Sequence, residues 1–378
     1  MKRQTEIELV KELLTLKAGG SAFLDDSVER NPVESYVSDE QFMRERERIF
    51  KAQPQPLAHI SELPQPHSYL RRSMAGLPVL LTRDADGAAH AFLNVCRHRG
   101  TRLVDEASGC KQRLVCPYHA WTWNTRGELI GVPHESQGFP GLVREDYALK
   151  PLVCTERNGW LWVSPSGARQ NDVDDDLSGL LTDFDWFGAS ELSVVHTEEQ
   201  TCAVNWKIIV EGGMEAYHFR VAHRQTIAPY FEDNLSTYQR FGPHLRSVLA
   251  RNTLTELEQC AEEQWRLRDH AQLLYTIFPT NSFLVQSDHV VWIRLEPLSA
   301  SSTWVSLNTL APKNRTATKE DRAYWAKNHA ITVKTLAEDF AIGESIQSGL
   351  ESGANEHLTF GRFEGALAAF SDSVRSYL

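Results

Sequence analysis

Residues 96–119 read CRHRGTRLVDEASGCKQRLVCPYH, and the spacing of four side chains in this stretch governs the reading of the chain. Cys96 and His98 stand one residue apart. Seventeen residues separate His98 from Cys116, and His119 follows three positions later. A lone Cys-x-His pair binds nothing firmly. Two thiols and two imidazoles on two loops make a full ligand set. Zinc is one taker, since two Cys and two His form a common tetrahedral site, usually with the cysteines on one knuckle and the histidines on another. In this pattern each loop supplies one of each. That mixing suits a [2Fe–2S] cluster in which two thiolates hold one iron and two imidazoles the other. Gly100 and Pro117 fit tight loop tips beside such a cluster.

The flanks read as β-structure. Residues 77–96 carry a hairpin signal at Asp84–Gly87 between apolar runs, residues 113–132 another at Arg126–Gly127, and NGWLWVSP at 158–165 is a short closing strand. Arg-Gly after the first histidine and Pro-Tyr-His-Ala-Trp around the second closely resemble the Rieske motif. The resemblance implies Cys96 and Cys116 on the inner iron and His98 and His119 on the outer, more exposed one. It also implies a reduction potential above that of an all-cysteine cluster. Residues 45–165 are expected to form this all-β cluster domain.

The chain has 378 residues, far more than an electron-carrier module of this kind needs. Its formal net charge of −11 and its 42% hydrophobic, 24% charged composition suit a soluble protein that binds neither nucleic acid nor membrane. No apolar run reaches the roughly 18 residues of a membrane span. The opening MKRQTEIELVKELLTLKAGG places Ile7, Val10, Leu13, Leu14 and the Lys17 stem at helical spacing, with Gly19-Gly20 as the stop. It reads as an amphipathic helix within an N-terminal segment, 1–44, that packs on the catalytic part, rather than as a secretory leader. With six cysteines in no disulfide-like pattern, the expected location is the cytoplasm. Cys110, Cys154, Cys202 and Cys260 read as small buried hydrophobes.

A second metal site is sought in the remaining chain, 166–378, which opens on a polar, acidic link at 166–185. NWKIIVEGGMEAYHFRVAH, 205–223, starts as a helix capped by Asn205 and ends with Glu215, His218 and His223. Histidines five apart do not share a face of a regular helix, so the segment must bend for both to meet one ion. A carboxylate would complete the two-His-one-carboxylate face that leaves Fe(II) open to O2. The helix expected over 318–350 offers Glu338, Asp339 and Glu344, any of which could equally be solvated.

N-W-K-x3-E-x3-E-x-Y-H-x4-H and E-D-F-x3-E-x-I-Q-x-G-L together resemble the catalytic subunit of Rieske non-heme iron oxygenases over nearly the whole chain. The resemblance implies an α+β fold: an all-β Rieske domain, then a catalytic domain whose curved antiparallel sheet is gripped by helices in helix-grip, START-like fashion. It implies His218, His223 and Asp339 as ligands of the mononuclear iron, Asp339 being preferred to Glu338 for its eight-residue spacing to Gln347. It implies Glu215 as the acid joining His119 of a neighbouring subunit to His218, within a head-to-tail homotrimer. Glutamate there resembles the carnitine, choline and glycine-betaine branch. Gly212 replaces the family's usual Asn, which loosens any substrate inference from that branch.

Strand-like alternation over 275–312, with turns at Pro279–Ser282 and Ser299–Ser302, suits the curved sheet. Gly212, Phe283, Val285 and Trp292 are candidate pocket residues, with Tyr275, Phe278 and Trp304 as further walls; plain core packing is the competing reading. The implied activity is that of a mono- or dioxygenase using O2. Electrons come from NAD(P)H through a separate reductase, with or without a ferredoxin, because the chain has no dinucleotide fingerprint of its own. The implied substrate is a quaternary ammonium compound or an aromatic acid. The alternative is an electron-transfer or ligand-binding protein without catalytic iron.

Overall fold

The Asp84–Gly87 turn joins antiparallel strands Leu77–Arg83 and Ala89–Leu93, and the Arg126–Gly127 turn joins Thr122–Asn124 to Leu129–Gly131. Gly127 sits at φ +81°, and a Cβ there would meet the Phe92 ring at 2.5 Å, so this turn needs glycine on two counts. The two turns are tied together: Arg126 Nε donates to Asp84 Oδ2 at 2.9 Å. Burial opposes ionisation of Asp84, but His90, Arg126 and the Ala88 and Asp86 N–H groups hold its carboxyl well below the usual range.

The computed structural model describes residues 1–165, 173, 174, 177 and 179–378. It divides into two compact units, one of residues 50–176 and one joining 1–49 to 177–378. Part of the expected link at 166–185 lies outside the described residues. The rest departs from that expectation: Leu181–Trp186 is a helix, and its Phe184 is fully buried.

The smaller unit holds a seven-stranded antiparallel sheet and a three-stranded one, Arg113–Val115, Thr122–Asn124 and Leu129–Gly131. Leu80, Phe92, Trp121 and Trp123 form its core around Cys96 and Cys116. Asn94 pins the loop that follows it. Its Nδ2 donates to the Val104 carbonyl at 2.8 Å and its Oδ1 accepts the Val104 N–H at 3.0 Å.

The larger unit is α+β. Its seven-stranded antiparallel sheet runs as a meander from Phe231–Phe241 through His244–Arg251, Ala271–Ile277, Asn281–Val285 and Val290–Ser299 to Ser302–Pro312. Leu192–Cys202, first in the chain, pairs with that last strand. The 33-residue helix Lys319–Glu351 starts at a capping box between Thr318 and Asp321. Its apolar residues divide in two. Trp325, Phe340 and Leu350 are buried, whereas Ile331, Ile342 and Ile346 stay exposed along a cavity. The N-terminal helix Arg3–Ala18 buries Leu9, Val10 and Leu13, and its Glu6 accepts the Leu267 N–H at 2.9 Å. It ends with Ser21 N–H on the Leu16 carbonyl and Gly20 N–H on the Lys17 carbonyl, around Gly20 at φ +61°. No helix among the described residues is long and apolar enough to cross a membrane.

Candidate metal centres

The two loops of the smaller unit are geometric copies. Cys96 N–H bonds the Thr101 carbonyl at 2.7 Å, and Cys116 N–H bonds the Trp121 carbonyl at 2.8 Å. Gly100 N–H returns to the Cys96 carbonyl and Ala120 N–H to the Cys116 carbonyl, both at 3.0 Å. The fourth residue after each cysteine has positive φ, +82° at Gly100 and +59° at Ala120. Each cysteine thus sits at the base of a closed turn, with its histidine at the tip.

Burial sorts the four side chains. Cys96 and Cys116 are both 3% exposed, His98 is half-buried and His119 is exposed. The His98 ring stacks on Trp121 at 4.7 Å between centroids and 4° between planes, and lies 4.8 Å from the His119 ring. A tetrahedral zinc would gather its ligand atoms within about 4 Å of one another. Among the described residues, only His218, His223 and Asp339 bring three such atoms within 4.8 Å. The cysteine–histidine set therefore fits a wider, two-iron group, thiols inward and imidazoles outward. Burial, joined by the Cys116 thiol, raises the Cys96 thiol pKa, a cost that a bound cation removes.

Burial also pushes Cys154 up to about 12 and Cys202 up to about 11, which makes both inert. Cys110 and Cys260 are exposed, contrary to the buried role read from sequence.

In the larger unit, Asn205 caps helix Trp206–Gly212 by accepting the Lys207 N–H at 3.0 Å. The helix then stops at the Gly212-Gly213 pair. His218 and His223 flank the one-turn helix Phe219–Ala222 as its N-cap and C-cap. Standing at the two ends of a single turn rather than inside a regular helix, the two imidazoles five residues apart meet at one point. Their Nε2 atoms are 3.2 Å apart, and Asp339 Oδ1 lies 2.9 Å from that of His223 and 3.6 Å from that of His218.

The far side of each ring is committed. His218 Nδ1 hydrogen-bonds Glu215 Oε1, and His223 Nδ1 hydrogen-bonds Glu338 Oε2 at 2.8 Å. With both Nδ1 atoms donating, both Nε2 atoms present lone pairs to each other and to a carboxylate. Three converging acceptors repel unless a cation sits among them, so the donor set fits a metal of the two-His-one-carboxylate kind. Burial works to lower His223, yet Asp339 and Glu338 leave it raised, another sign that the site attracts positive charge.

Asp339 reaches the triad while its neighbour Glu338 braces His223. Glu338 also accepts Thr226 Oγ1 at 2.7 Å, and these bonds lower its pKa. Glu344 accepts the Ala203 N–H at 2.9 Å. None of the three acids on this helix is merely solvated. Thr226 carried no signal in the sequence.

Both oxygens of Glu215 are engaged, Oε2 by the Tyr217 and His218 N–H groups and Oε1 by the His218 ring. Glu211, one turn before it, is buried with Tyr36 Oη donating at 2.7 Å, and burial pushes its pKa up to about 8.

The triad opens into a cavity of about 660 Å³ between one face of the sheet and the long helix. Gly212 lines it, and a Cβ there would meet nothing within 4 Å. The glycine in place of asparagine thus leaves room. Phe283, Val285 and Trp292 do not line the cavity, nor do Tyr275, Phe278 and Trp304. Alternation explains the correction. Ser282, Leu284, Ile293 and Leu295 point into the cavity, so Phe283 and Trp292 point away. There they stack at 6.2 Å, with Phe184 edge-on to Phe283 at 5.4 Å.

Comparison with known proteins places both parts of the chain in known domain types. Residues 53–150 match the Rieske [2Fe-2S] domain, and residues 189–378 match the ring hydroxylating alpha subunit (catalytic domain). The glycine betaine monooxygenase oxygenase subunit of Chromohalobacter salexigens is 31% identical over 228 residues, covering 58% of this chain and 49% of that one. The chain thus spans about half the length of this relative. The carnitine monooxygenase oxygenase subunit of Acinetobacter baumannii is 27% identical over 323 residues, 84% of each chain. A crystal structure of the quaternary ammonium Rieske monooxygenase CntA with an inhibitor superposes with a TM-score of 0.80 at 25% identity, covering 93% of this chain and 96% of that one. By its catalytic-domain match over half its length, the chain belongs to the ring hydroxylating alpha subunit family, whose members carry a Rieske [2Fe–2S] cluster and a mononuclear iron.

Proposed function

We propose that the chain is the terminal oxygenase component of a Rieske non-heme iron system, acting with O2 on a small organic substrate. The observation that carries this is the convergence of His218, His223 and Asp339 at the wall of a cavity large enough for such a molecule. The outcome is hydroxylation, dihydroxylation or oxidative demethylation. The substrate is a quaternary ammonium compound or an aromatic acid, the first supported by relatives named for glycine betaine and carnitine. The cluster domain, read as 45–165, goes with the compact unit 50–176, and the catalytic domain, read as 166–378 with 1–44 packed on it, goes with the unit of 1–49 and 177–378.

Ferrous iron held at the triad would supply the open coordination positions at which O2 is activated. The protein's own part is to hold both Nε2 lone pairs on one point through Glu215 and Glu338. Cys96, His98, Cys116 and His119 hold the electron relay. A separate reductase fills it from NAD(P)H.

Glu215 joins the two centres across a subunit boundary, from His119 of the next chain to His218, in a head-to-tail ring of three. Tyr217 at 55% and Val221 at 81% exposure flank His218 as apolar surface suited to such a neighbour.

Metal analysis and a single turnover test the reading together. Purified protein should carry one iron beyond each cluster. After reduction, a quaternary amine or aromatic acid should accelerate cluster reoxidation by O2 and gain oxygen. A cluster with no additional iron would make the chain an electron carrier or binding protein instead.

A further inference from the structure

Arg251 ends strand His244–Arg251 and lines the same cavity as the iron triad. Its Nη2 donates to Gln286 Oε1 at 2.7 Å, and Gln286 Nε2 donates to Gln272 Oε1 at 2.9 Å. Its guanidinium lies over the Phe231 ring at 5.1 Å. That ring packs edge-on against Phe219 at 5.2 Å, and Phe219 touches both His218 and His223. The arginine is therefore fixed in place, two aromatic rings from the iron ligands. Its Nε is buried with no hydrogen-bond partner, and among the described residues no carboxylate forms an ion pair with it. The cavity's Asp288 is already engaged, by Tyr324 Oη at 2.8 Å and by His289 and Arg315. Asp269 attracts it only from beyond ion-pair range; burial outweighs that charge and lowers even this guanidinium's pKa, and a desolvated cation so weakly compensated is costly. A planar fork with unused donors matches a carboxylate in two-point contact.

We propose that Arg251, held by Gln286 and Phe231, is the anchor for a substrate carboxylate, so that the substrate is an organic acid rather than a neutral or purely cationic compound. The proposal rests on the oxygenase reading only for the reaction that follows binding. The carboxylate can belong to a zwitterionic quaternary ammonium acid or to an aromatic acid.

Two matched pairs distinguish these sources: glycine betaine against choline, and benzoate against benzamide. Their dissociation constants would be measured by anaerobic calorimetry on iron-loaded protein. In at least one pair the acid should bind about 10- to 100-fold more tightly, the worth of a charge-assisted contact. The responding pair names the source. R251Q should erase the preference, and R251K, which keeps the charge but not the fork, should retain part of it. Cluster spectrum and iron content report whether each variant is folded. The proposal is overturned if neither acid binds, if choline and benzamide match their acids, or if R251Q keeps the preference. Missing mononuclear iron in the unaltered protein would strike the oxygenase reading while leaving the acid preference measurable.

Discussion

Glu338 and Asp339 are adjacent on one helix, and the structure gives them different work that one pair of variants separates. Asp339 Oδ1 joins the ligand atoms; Glu338 Oε2 holds the Nδ1–H of His223 at 2.8 Å. In E338A that N–H loses its acceptor, and His223 is only 1% exposed, so water is a poor replacement. The ring is then free to adopt the tautomer with the proton on Nε2, which cannot bind a metal. Losing such a brace typically weakens metal binding about 10- to 100-fold, equivalent to about 1.4 to 2.7 kcal/mol. E338Q can keep an acceptor but not the charge, and should fall between E338A and the unaltered protein. D339A removes a direct ligand and must lose more than either. The assay is competition for Fe(II) against a chelator of known affinity, with the cluster's visible absorption as an internal standard. If E338A abolishes binding while D339A leaves it near normal, Glu338 is the ligand and the geometric argument fails.

The other expectations concern single groups. H119A should lose the visible spectrum of a two-histidine cluster while the mononuclear site still binds iron; an unchanged spectrum would remove His119 from the ligand set. E215Q should keep both metals but slow cluster reoxidation in a single turnover at least about 10-fold, in line with losing the acid that orients His218. An unchanged rate would refute the bridging role. Glu211 gives a pH dependence with a defined sign. Its folded pKa of about 8 lies above the ordinary 4.5, so between those values the folded state keeps a proton that the unfolded chain releases. Stability should therefore fall as pH rises through that window, by up to about 1.4 kcal/mol per pH unit. E211Q lacks this loss, so its Tm advantage should widen from pH 5 to 8 and then level off; a constant gap would mean that Glu211 is ionised in the fold.

The candidate cluster loops were legible because ligand chemistry fixes residue type and spacing together. Cys96, His98, Cys116 and His119 leave few alternatives in any fold. His218 and His223 were legible as a pair, and their five-residue spacing already ruled out one regular helix face; they stand at the two ends of the one-turn helix Phe219–Ala222. The cavity walls were not legible. Ala271–Ile277 and Asn281–Val285 are buried at every position because the sheet is covered on both faces. Alternation marks two faces without saying which one meets the cavity, and large aromatics such as Phe283 and Trp292 went to the core. Arg251 was invisible for another reason. One arginine at a strand end resembles any solvated charge until the fold shows what surrounds it. The acids at 338, 339 and 344 posed the same problem, and only the resemblance to a family pattern ranked them.

Several letters of the two iron-segment motifs never touch the site, and the fold indicates what they do. The Asn205 N–H donates to Gln347 Oε1 at 3.0 Å, and the Ala203 N–H donates to Glu344 Oε1 at 2.9 Å. These bonds join the start of helix Trp206–Gly212, which leads toward the histidines, to the aspartate-bearing helix beyond Asp339. The Asn205 side chain donates to the Tyr36 carbonyl at 3.0 Å and the Ala300 carbonyl at 2.7 Å, and Lys207 pairs with buried Glu45 at 2.6 Å. These bonds fix the start of helix Trp206–Gly212 against the aspartate-bearing helix from outside the cavity. Q347L tests this directly. It leaves the buried Asn205 N–H without an acceptor, a loss of about 1 to 3 kcal/mol. It also loosens the segment leading to the histidines against the aspartate-bearing helix, and a metal site must be held within about 0.5 Å. Tm and Fe(II) affinity should fall together although residue 347 touches no metal. A lower Tm with undiminished iron affinity would reduce the clamp to a packing feature and leave the ligand geometry to Glu215 and Glu338 alone.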